Sequence, residues 1–304
     1  MLHWSKKNTI FIMASTGYAR KSIEEKGLRV FSPYYGDGLP LRILREICFR
    51  LPVLPKTIWY NKKLPKAGIE YVNIFDVNIT VHYLKWIKRK FSKAQCNYLY
   101  NNMVGKANNL FPDNIPNGIR IWTYDDYDSR KYKIRLSKNY WIREMTYKSK
   151  QTPEYDVFFV GSDKGRGEKL LALEKNLQEM GLKTKFIITK DGKLSKKKPY
   201  YQRPISYEKV IDYDTRSRAI LNMVMENQEG VTLRDMEAAA IGIKLLTTNK
   251  NIVNKDLYNR NNVFILGIQN IEEIPEFLDR EYMDVLHKIK INHTFEAMLD
   301  EITN

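Results

Sequence analysis

The sequence predicts an α/β protein built from two Rossmann-like domains, each with a parallel sheet, facing one another across a cleft. Three observations predict it. The chain has 304 residues, which suits two domains at roughly 100–200 residues each. Short apolar runs alternate with segments of helical spacing, and several runs are apolar throughout, as strands buried on both faces of a parallel sheet must be. A polar stretch closed by a proline, 148–153 (KSKQTP), interrupts the alternation near the middle and marks the boundary between domains 1–150 and 151–304. The last helix of the chain is free to pack back on the first domain.

In the first half, Asn8–Ser15 and Tyr71–Val77 read as buried strands, rich in β-branched and aromatic residues. Gln95–Asn101 and Gly118–Tyr124 read as two more. Leu39–Tyr60 opens with apolar residues near helical spacing, and Pro52 should end that helix. Thr80–Phe91 is a basic amphipathic helix. In the second half, Tyr155–Gly161 (YDVFFVG) is a continuous apolar strand, and Gly165–Met180 is a leucine-bearing helix that Gly181 caps. Strands follow at Lys183–Thr189, Ala219–Val224, Lys244–Thr248 and Val263–Leu266, with a helix at Thr232–Ile241 and further helices closing the chain.

Composition removes several classes of function. Hydrophobic residues make up 43% of the chain, enough to bury a core, so disorder is not expected. Cys48 and Cys96 are the only cysteines and lie far apart, which suits a reducing cytoplasm and forms no disulfide framework. The four histidines lack metal-ligand spacing. No signal peptide is evident, and no run approaches the roughly 18 apolar residues of a membrane-crossing helix. The expected location is the cytoplasm, either free or peripherally on the inner face of the cell membrane. Charge is uneven: residues 1–150 hold 28 Lys and Arg against 11 Asp and Glu, and the remainder holds 23 against 24. An anionic partner for the first half follows, unless the surface is merely a soluble basic one.

Two constellations carry chemistry. Val160–Gly167 (VGSDKGRG) joins the first strand of the second domain to its helix, where open α/β sheets bind ligands. Backbone N–H groups at a glycine-rich helix start, with Arg166 beside them, suit a phosphate. An ordinary strand–helix turn would look the same. The stronger signal is Gln228–Ala238 (QEGVTLRDMEA). Thr232 and Asp235 read as an N-cap pair, so the helix starts at Thr232. Its positive end, with the Thr232 hydroxyl and Arg234, favours a pyrophosphate, and Glu237 behind them is placed to accept ribose hydroxyls. The plain alternative is a capped helix with a surface arginine and glutamate.

With these residues in view, the second half resembles the donor domain of GT-B glycosyltransferases of bacterial capsule, O-antigen and exopolysaccharide synthesis. The resemblance rests on FFVGSDKGR, ISYEKV and QEGVTLRDMEAAAIGIKLLTTN, and on the spacing of Glu229 and Glu237. More weakly, WTYDDYD with Lys131-Tyr132 resembles the same family in the first half. Leu39–Tyr60 matches nothing in it. The resemblance implies sugar transfer from a nucleoside diphosphate, with uridine diphosphate the expected carrier, to a cell-surface glycan or lipid-linked acceptor. It implies that Gly161, Ser162 and Arg166 face the diphosphate or sugar, that Tyr207 lies near the base, that Thr232 and Arg234 hold phosphates, and that Glu237 holds the ribose. No cofactor or metal is implied, because helix dipoles and basic side chains stabilise the leaving diphosphate. An inverting transfer also needs a base, for which Asp76, Asp125 and Asp128 are candidates. Each could equally be a capping or turn aspartate, and a retaining transfer would need no such base.

Two rival readings remain. Asp126-Tyr127-Asp128 and Asp212-Tyr213-Asp214 have the Asp-x-Asp pattern by which GT-A glycosyltransferases hold a metal and its diphosphate. A nucleic-acid-binding protein would use the basic first half with Trp86, Tyr98, Tyr100 and Trp122 as stacking platforms. No nucleic-acid module accompanies them, so nucleic acid is not an expected partner.

One surface feature points to an anionic membrane. Leu39–Tyr60 sets Leu41, Leu44, Ile47, Cys48 and Leu51 against Arg42, Arg45 and Arg50, followed by Val53, Leu54, Ile58 and Trp59. Thr80–Phe91 mixes Trp86 and Ile87 with four basic residues. This is the composition of an interfacial helix. The alternative, apolar faces on the core and solvated charges outside, suits Thr80–Phe91 better than Leu39–Tyr60.

Overall fold

The computed structural model describes residues 3–14, 18–36, 38–51, 54–65, 67–140, 149–150, 152–192 and 196–304. The chain divides into two compact units, Met1–Lys138 with Phe295–Asn304, and Asn139–Thr294. The boundary falls after Lys138 rather than at 150. The reason is backbone pairing: the Lys150 and Glu154 amides donate to the Thr215 and Arg216 carbonyls at 2.8 Å each, which ties this stretch into the second unit. Pro52, Val53, Lys148 and Gln151, named above, lie outside the described residues.

The first unit runs β1 (Thr9–Ile12), α1 (Tyr18–Glu25), β2 (Arg29–Phe31), α2 (Leu39–Arg50), β3 (Tyr71–Phe75), α3 (Val81–Lys90), β4 (Gln95–Tyr100), β5 (Ile119–Thr123), α4 (Asp126–Tyr132) and β6 (Arg135–Leu136). Its sheet has six parallel strands in the order β2-β1-β3-β4-β5-β6. Alternate residues of β1 serve opposite faces, as a strand's period of two requires. Ile10 and Ile12 join the core with Tyr83, Leu84 and Ile87 of α3. Phe11 packs on Phe75 and on Phe295, ring centroids 6.2 and 5.4 Å apart. The short strands β2 and β6 were not anticipated from sequence, being three and two residues long.

The second unit runs β7 (Tyr155–Ser162), α5 (Gly167–Glu179), β8 (Thr184–Thr189), α6 (Tyr207–Thr215), β9 (Ser217–Asn222), α7 (Leu233–Ile241), β10 (Lys244–Thr247), β11 (Val263–Ile265), α8 (Ile274–Asp279) and α9 (Leu286–Asn292). Its five strands are parallel in the order β11-β10-β9-β7-β8. Phe159 of β7 packs with Leu170, Leu173 and Leu177 of α5, whereas Phe158 packs with Ile187 and Val210 on the α6 side. Both faces are therefore buried along Val157–Phe159, which is why this part of YDVFFVG is apolar throughout. The closing helix α10 (Phe295–Thr303) belongs to the first unit. There the Gln95 side-chain amide donates to the Ile302 carbonyl at 2.7 Å, and the Trp4 indole donates to Asp300 at 2.6 Å.

Helices α2 and α3 differ from one another. In α3 the apolar side meets the core, with Ile87 buried and Trp86 half-buried. In α2 the buried residues are Arg45 and Cys48, and the aliphatic residues face outward. Arg45 therefore does not share the outer face with Arg42 and Arg50. Its guanidinium lies 4.8 Å from the Tyr34 ring centroid and donates to the Tyr35 carbonyl at 3.1 Å. No described helix is long and apolar enough to cross a membrane.

Candidate functional site

Each sheet has a point where the strand order reverses, and crevices for ligands open there, outside the carboxyl ends of the strands. In the second unit β7 leads to β8 on one side, and the chain then crosses to β9 on the other. The crevice between β7 and β9 is thus bordered by the loop before α5 and the loop before α7.

Gly161 and Ser162 are the last residues of β7. A Cβ on Gly161 would stand 3.2 Å from the Phe159 ring and 3.4 Å from the Arg166 guanidinium, so the strand end accommodates Arg166 closely. Arg166 folds back over this end, donating to the Ser162 carbonyl at 3.3 Å and lying 5.7 Å from the Phe159 centroid. Burial lowers its pKa, although Asp191 and Asp163 oppose the shift. Lys164 and Gly165 both take left-handed backbone conformations, φ 46° and 78°. The Lys164 amide is held by Asp191 at 2.6 Å. The turn is therefore a built one, with a non-glycine residue in a region side chains disfavour.

Asp163, in the quoted motif but not singled out from sequence, is the hub of this loop. Its carboxylate accepts from the Gly167 amide at 2.7 Å, Lys198 Nζ at 3.0 Å, and the Tyr200 and Tyr201 hydroxyls at 2.9 and 2.6 Å. Burial alone would raise its pKa, but the four donors outweigh burial and hold it below the usual carboxylate range. Gly167 allows this convergence, because a Cβ there would stand 2.3 Å from the Tyr200 hydroxyl.

On the other border, Thr232 caps α7 as its spacing to Asp235 predicts. Thr232 Oγ1 accepts from the Asp235 amide, and Asp235 Oδ2 accepts from the Thr232 amide at 2.7 Å. Asn222, the last residue of β9, donates to both Asp235 Oδ1 and Thr232 Oγ1, at 2.6 and 2.9 Å. The Asn249 side chain donates to the carbonyls of Glu229 and Gly230 at 3.3 and 3.2 Å, fixing the turn ahead of the helix.

The structure brings Tyr207, Arg234 and Glu237 together. The Tyr207 hydroxyl donates to Glu237 Oε1 at 2.6 Å, and Arg234 donates to Glu237 Oε2. Arg234 also binds Asp214 through two bonds of 2.9 and 2.6 Å. It is not a surface residue, and its guanidinium is engaged by two carboxylates rather than turned to solvent. Burial pushes Glu237 up to about 7, with Arg234 opposing and Asp214 assisting the shift. Asp214 was weighed from sequence only as half of an Asp-x-Asp pair. Asp212 and Asp214 both lie in α6, two residues apart, so they point to opposite sides of the helix. Asp212 binds Arg216 and Asp214 binds Arg234. Asp126 and Asp128 are related in the same way within α4. Neither triplet presents two carboxylates to one ion.

In the first unit the order reverses between β1 and β3. Asp76 directly follows β3 at this point and is fully buried. Its Oδ2 accepts from the Asn102 amide and side chain at 3.2 and 3.3 Å and from Asn109 at 3.0 Å, while Oδ1 has no partner among the described residues. Burial raises its pKa, with the asparagine donors opposing. Asp128 accepts from the Val104 amide at 2.7 Å and is pushed up to about 6, chiefly by burial. Asp125 caps α4, accepting from the Asp128 amide at 3.1 Å. Asp76 and Asp128 therefore hold the same loop after β4. Tyr98, Tyr100 and Trp122 are buried, so they offer no open face for stacking bases.

Comparison with known proteins bears on the fold. No family model matches the chain, and no curated protein matches it. Among solved structures, sucrose-phosphate synthase from Thermosynechococcus elongatus is similar with a TM-score of 0.61 at 11% identity, covering 97% of each chain. A DNA-modifying β-glucosyltransferase studied with and without uridine diphosphoglucose has a TM-score of 0.50 at 15% identity, covering 97% of this chain and 93% of that one. A lipopolysaccharide outer core galactosyltransferase has a TM-score of 0.50 at 13% identity, covering 96% and 97%. The two parallel sheets of six and five strands make this the fold of the GT-B glycosyltransferases.

Proposed function

We propose that the chain is a glycosyltransferase that moves a sugar from a nucleoside-diphosphate sugar, with uridine diphosphate as carrier, to a cell-surface glycan or lipid-linked acceptor. The observation that carries this reading is the strand-order reversal between β7 and β9, which is followed on one side by the built turn before α5 and on the other by the capped start of α7, whose Arg234 and Glu237 meet Tyr207. The names of the three fold relatives support it, since all concern sugar synthesis or transfer and one is paired with a uridine-diphosphate sugar.

In this reading the positive end of α7 and the Lys164–Gly165 turn take the diphosphate, with Gly161, Ser162, Thr232 and Arg166 beside it. Arg234 adds positive charge beneath the helix start and aims Glu237. Glu237 accepts the ribose hydroxyls, and Tyr207 yields Oε1 when the nucleoside arrives. As the acceptor oxygen bonds to the anomeric carbon, the bond to the diphosphate breaks and the leaving charge is held by these donors without a metal. For transfer with inversion, Asp76 takes the acceptor's proton. Its place at the β1/β3 reversal and its Oδ1, which has no partner among the described residues, suit a base better than do Asp125, which caps α4, or Asp128, in the first turn of that helix.

A thermal-shift panel of nucleoside diphosphates and their sugars in EDTA tests the reading, because a ligand of the native state raises the melting temperature by mass action. Stabilisation by at least one uridine-diphosphate compound is expected. No shift with any of the panel would reject the reading.

A further inference from the structure

We infer that α2 and the basic groove beside α3 form a surface that docks on an anionic lipid bilayer, at the inner face of the cell membrane. The first observation is the inversion of α2. A helix on a globular protein turns its apolar stripe inward. Here Arg45 and Cys48 are 8% and 6% exposed, while Ile43, Leu44 and Ile47 are 54%, 50% and 49% exposed. At 3.6 residues per turn, Ile43 and Ile47 stand about half a turn from Arg45. The outer arc of the helix is therefore largely aliphatic, and Leu51 at the helix end and Ile58 beyond it are exposed as well. A contiguous exposed aliphatic face of this kind marks an interaction surface.

The charge around it says what covers it. Residues 39–65 hold six Lys and Arg against the single acid Glu46. Exposed Arg42 and Arg50 flank the aliphatic arc. Helix α3 has no acidic residue, and Lys85, Lys88 and Arg89 line an open groove of about 460 Å³ with Ser92 and Pro116. The two helices share a packing partner. Tyr34 packs on Phe49 of α2 and Tyr83 of α3, ring centroids 5.2 and 5.3 Å away. His82 is held below its ordinary pKa by burial and by the nearby Lys56 and Lys85.

Aliphatic side chains amid unpaired-sign charge match a bilayer, whose acyl chains take the former and whose phosphates take the latter. A second copy of this chain fits poorly, since, with Arg45 turned inward, a two-fold contact would set five cations and one carboxylate against the same set. Nucleic acid would leave Ile43, Leu44 and Ile47 without an apolar partner. The surface belongs to the first unit alone, so vesicle binding is observable whether or not the chain transfers sugar.

The test is sedimentation of the full chain with vesicles of phosphatidylcholine alone, or of phosphatidylcholine with phosphatidylglycerol, at low and high salt. Wild type should sediment with the anionic vesicles at low salt and much less with neutral ones or at high salt. The double variant Ile43→Glu, Ile47→Glu should lose binding while keeping the wild-type melting curve, because both side chains are exposed. Lys85→Glu with Arg89→Glu should weaken binding at least about tenfold. Wild type that stays in the supernatant with anionic vesicles at low salt would overturn the inference. So would an Ile43→Glu, Ile47→Glu variant that sediments like wild type. A wild-type dimer that this variant splits, seen by analytical ultracentrifugation without vesicle binding, would assign the face to a second copy.

Discussion

The two units share one topology and differ at the place where that topology makes a site. In each, the first strand pairs with the second on one side and the third on the other, so a crevice opens at the strand ends. In the second unit the borders carry Arg166 and the Lys164–Gly165 turn on one side and the capped start of α7 over Arg234 on the other. In the first unit the corresponding position carries Asp76, surrounded by Asn102 and Asn109. Cations and helix N–H groups suit a diphosphate; a carboxylate among neutral amides suits a hydroxyl that must lose a proton. In the proposed reading the same backbone plan serves the donor in one unit and the acceptor in the other, and side chains make the difference.

The comparison breaks most visibly at Arg234. Arg234→Ala leaves the buried carboxylates of Asp214 and Glu237 without their counter-charge. Unfolding in urea should show a loss of about 3–5 kcal/mol, as for other broken buried pairs. A loss under about 1 kcal/mol would mean that the two carboxylates bind protons or water instead.

Asp76 and Asp125 sharpen the first unit's half of the comparison. Asp76→Asn preserves shape and removes the base, so turnover should fall by about 10²–10⁴ while the affinity for a nucleoside diphosphate stays as in wild type. Asp125→Ala removes a helix cap, so it should cost about 1 kcal/mol of stability and leave turnover near normal. Near-normal turnover in Asp76→Asn, Asp125→Ala and Asp128→Ala together would place the base elsewhere or show that none is used.

Legibility in the sequence followed the physics of each signal. Strands buried on both faces were readable, because continuous apolar runs such as YDVFFVG have no other use. The start of α7 was readable, because a cap pair is a local interaction between Thr232 and Asp235. Asp163, Asp214 and the inward turn of Arg45 were not readable as they stand. Asp163 gathers Lys198, Tyr200 and Tyr201 from 35 to 38 residues away, and Asp214 meets Arg234 from 20 away. Such partners are set by where α6, α7 and the loop at 198–201 are packed, not by spacing. Arg45 misled for another reason: helical periodicity gives the faces of α2 but not which face meets the protein. The GT-B fold was legible through motif resemblance, and the strand order that defines the crevices came only with the structure.

Whether the crevice between β7 and β9 is the donor site is tested most directly by calorimetric titration of uridine diphosphate in EDTA, at pH 6 and pH 8, into wild type and Glu237→Ala. Glu237 sits at about 7, above the ordinary carboxylate value, because of burial. Its ionised form accepts hydroxyls best, so as pH rises through that value more of it is ready to bind and wild-type affinity should increase. Glu237→Ala should bind about 1–3 kcal/mol more weakly at pH 8, with a smaller increase between the two pH values than wild type, since the last ionisation of the diphosphate itself, at about pH 6, is common to both proteins. Unchanged affinity in Glu237→Ala, or no binding of uridine diphosphate to wild type without metal, would contradict the assignment.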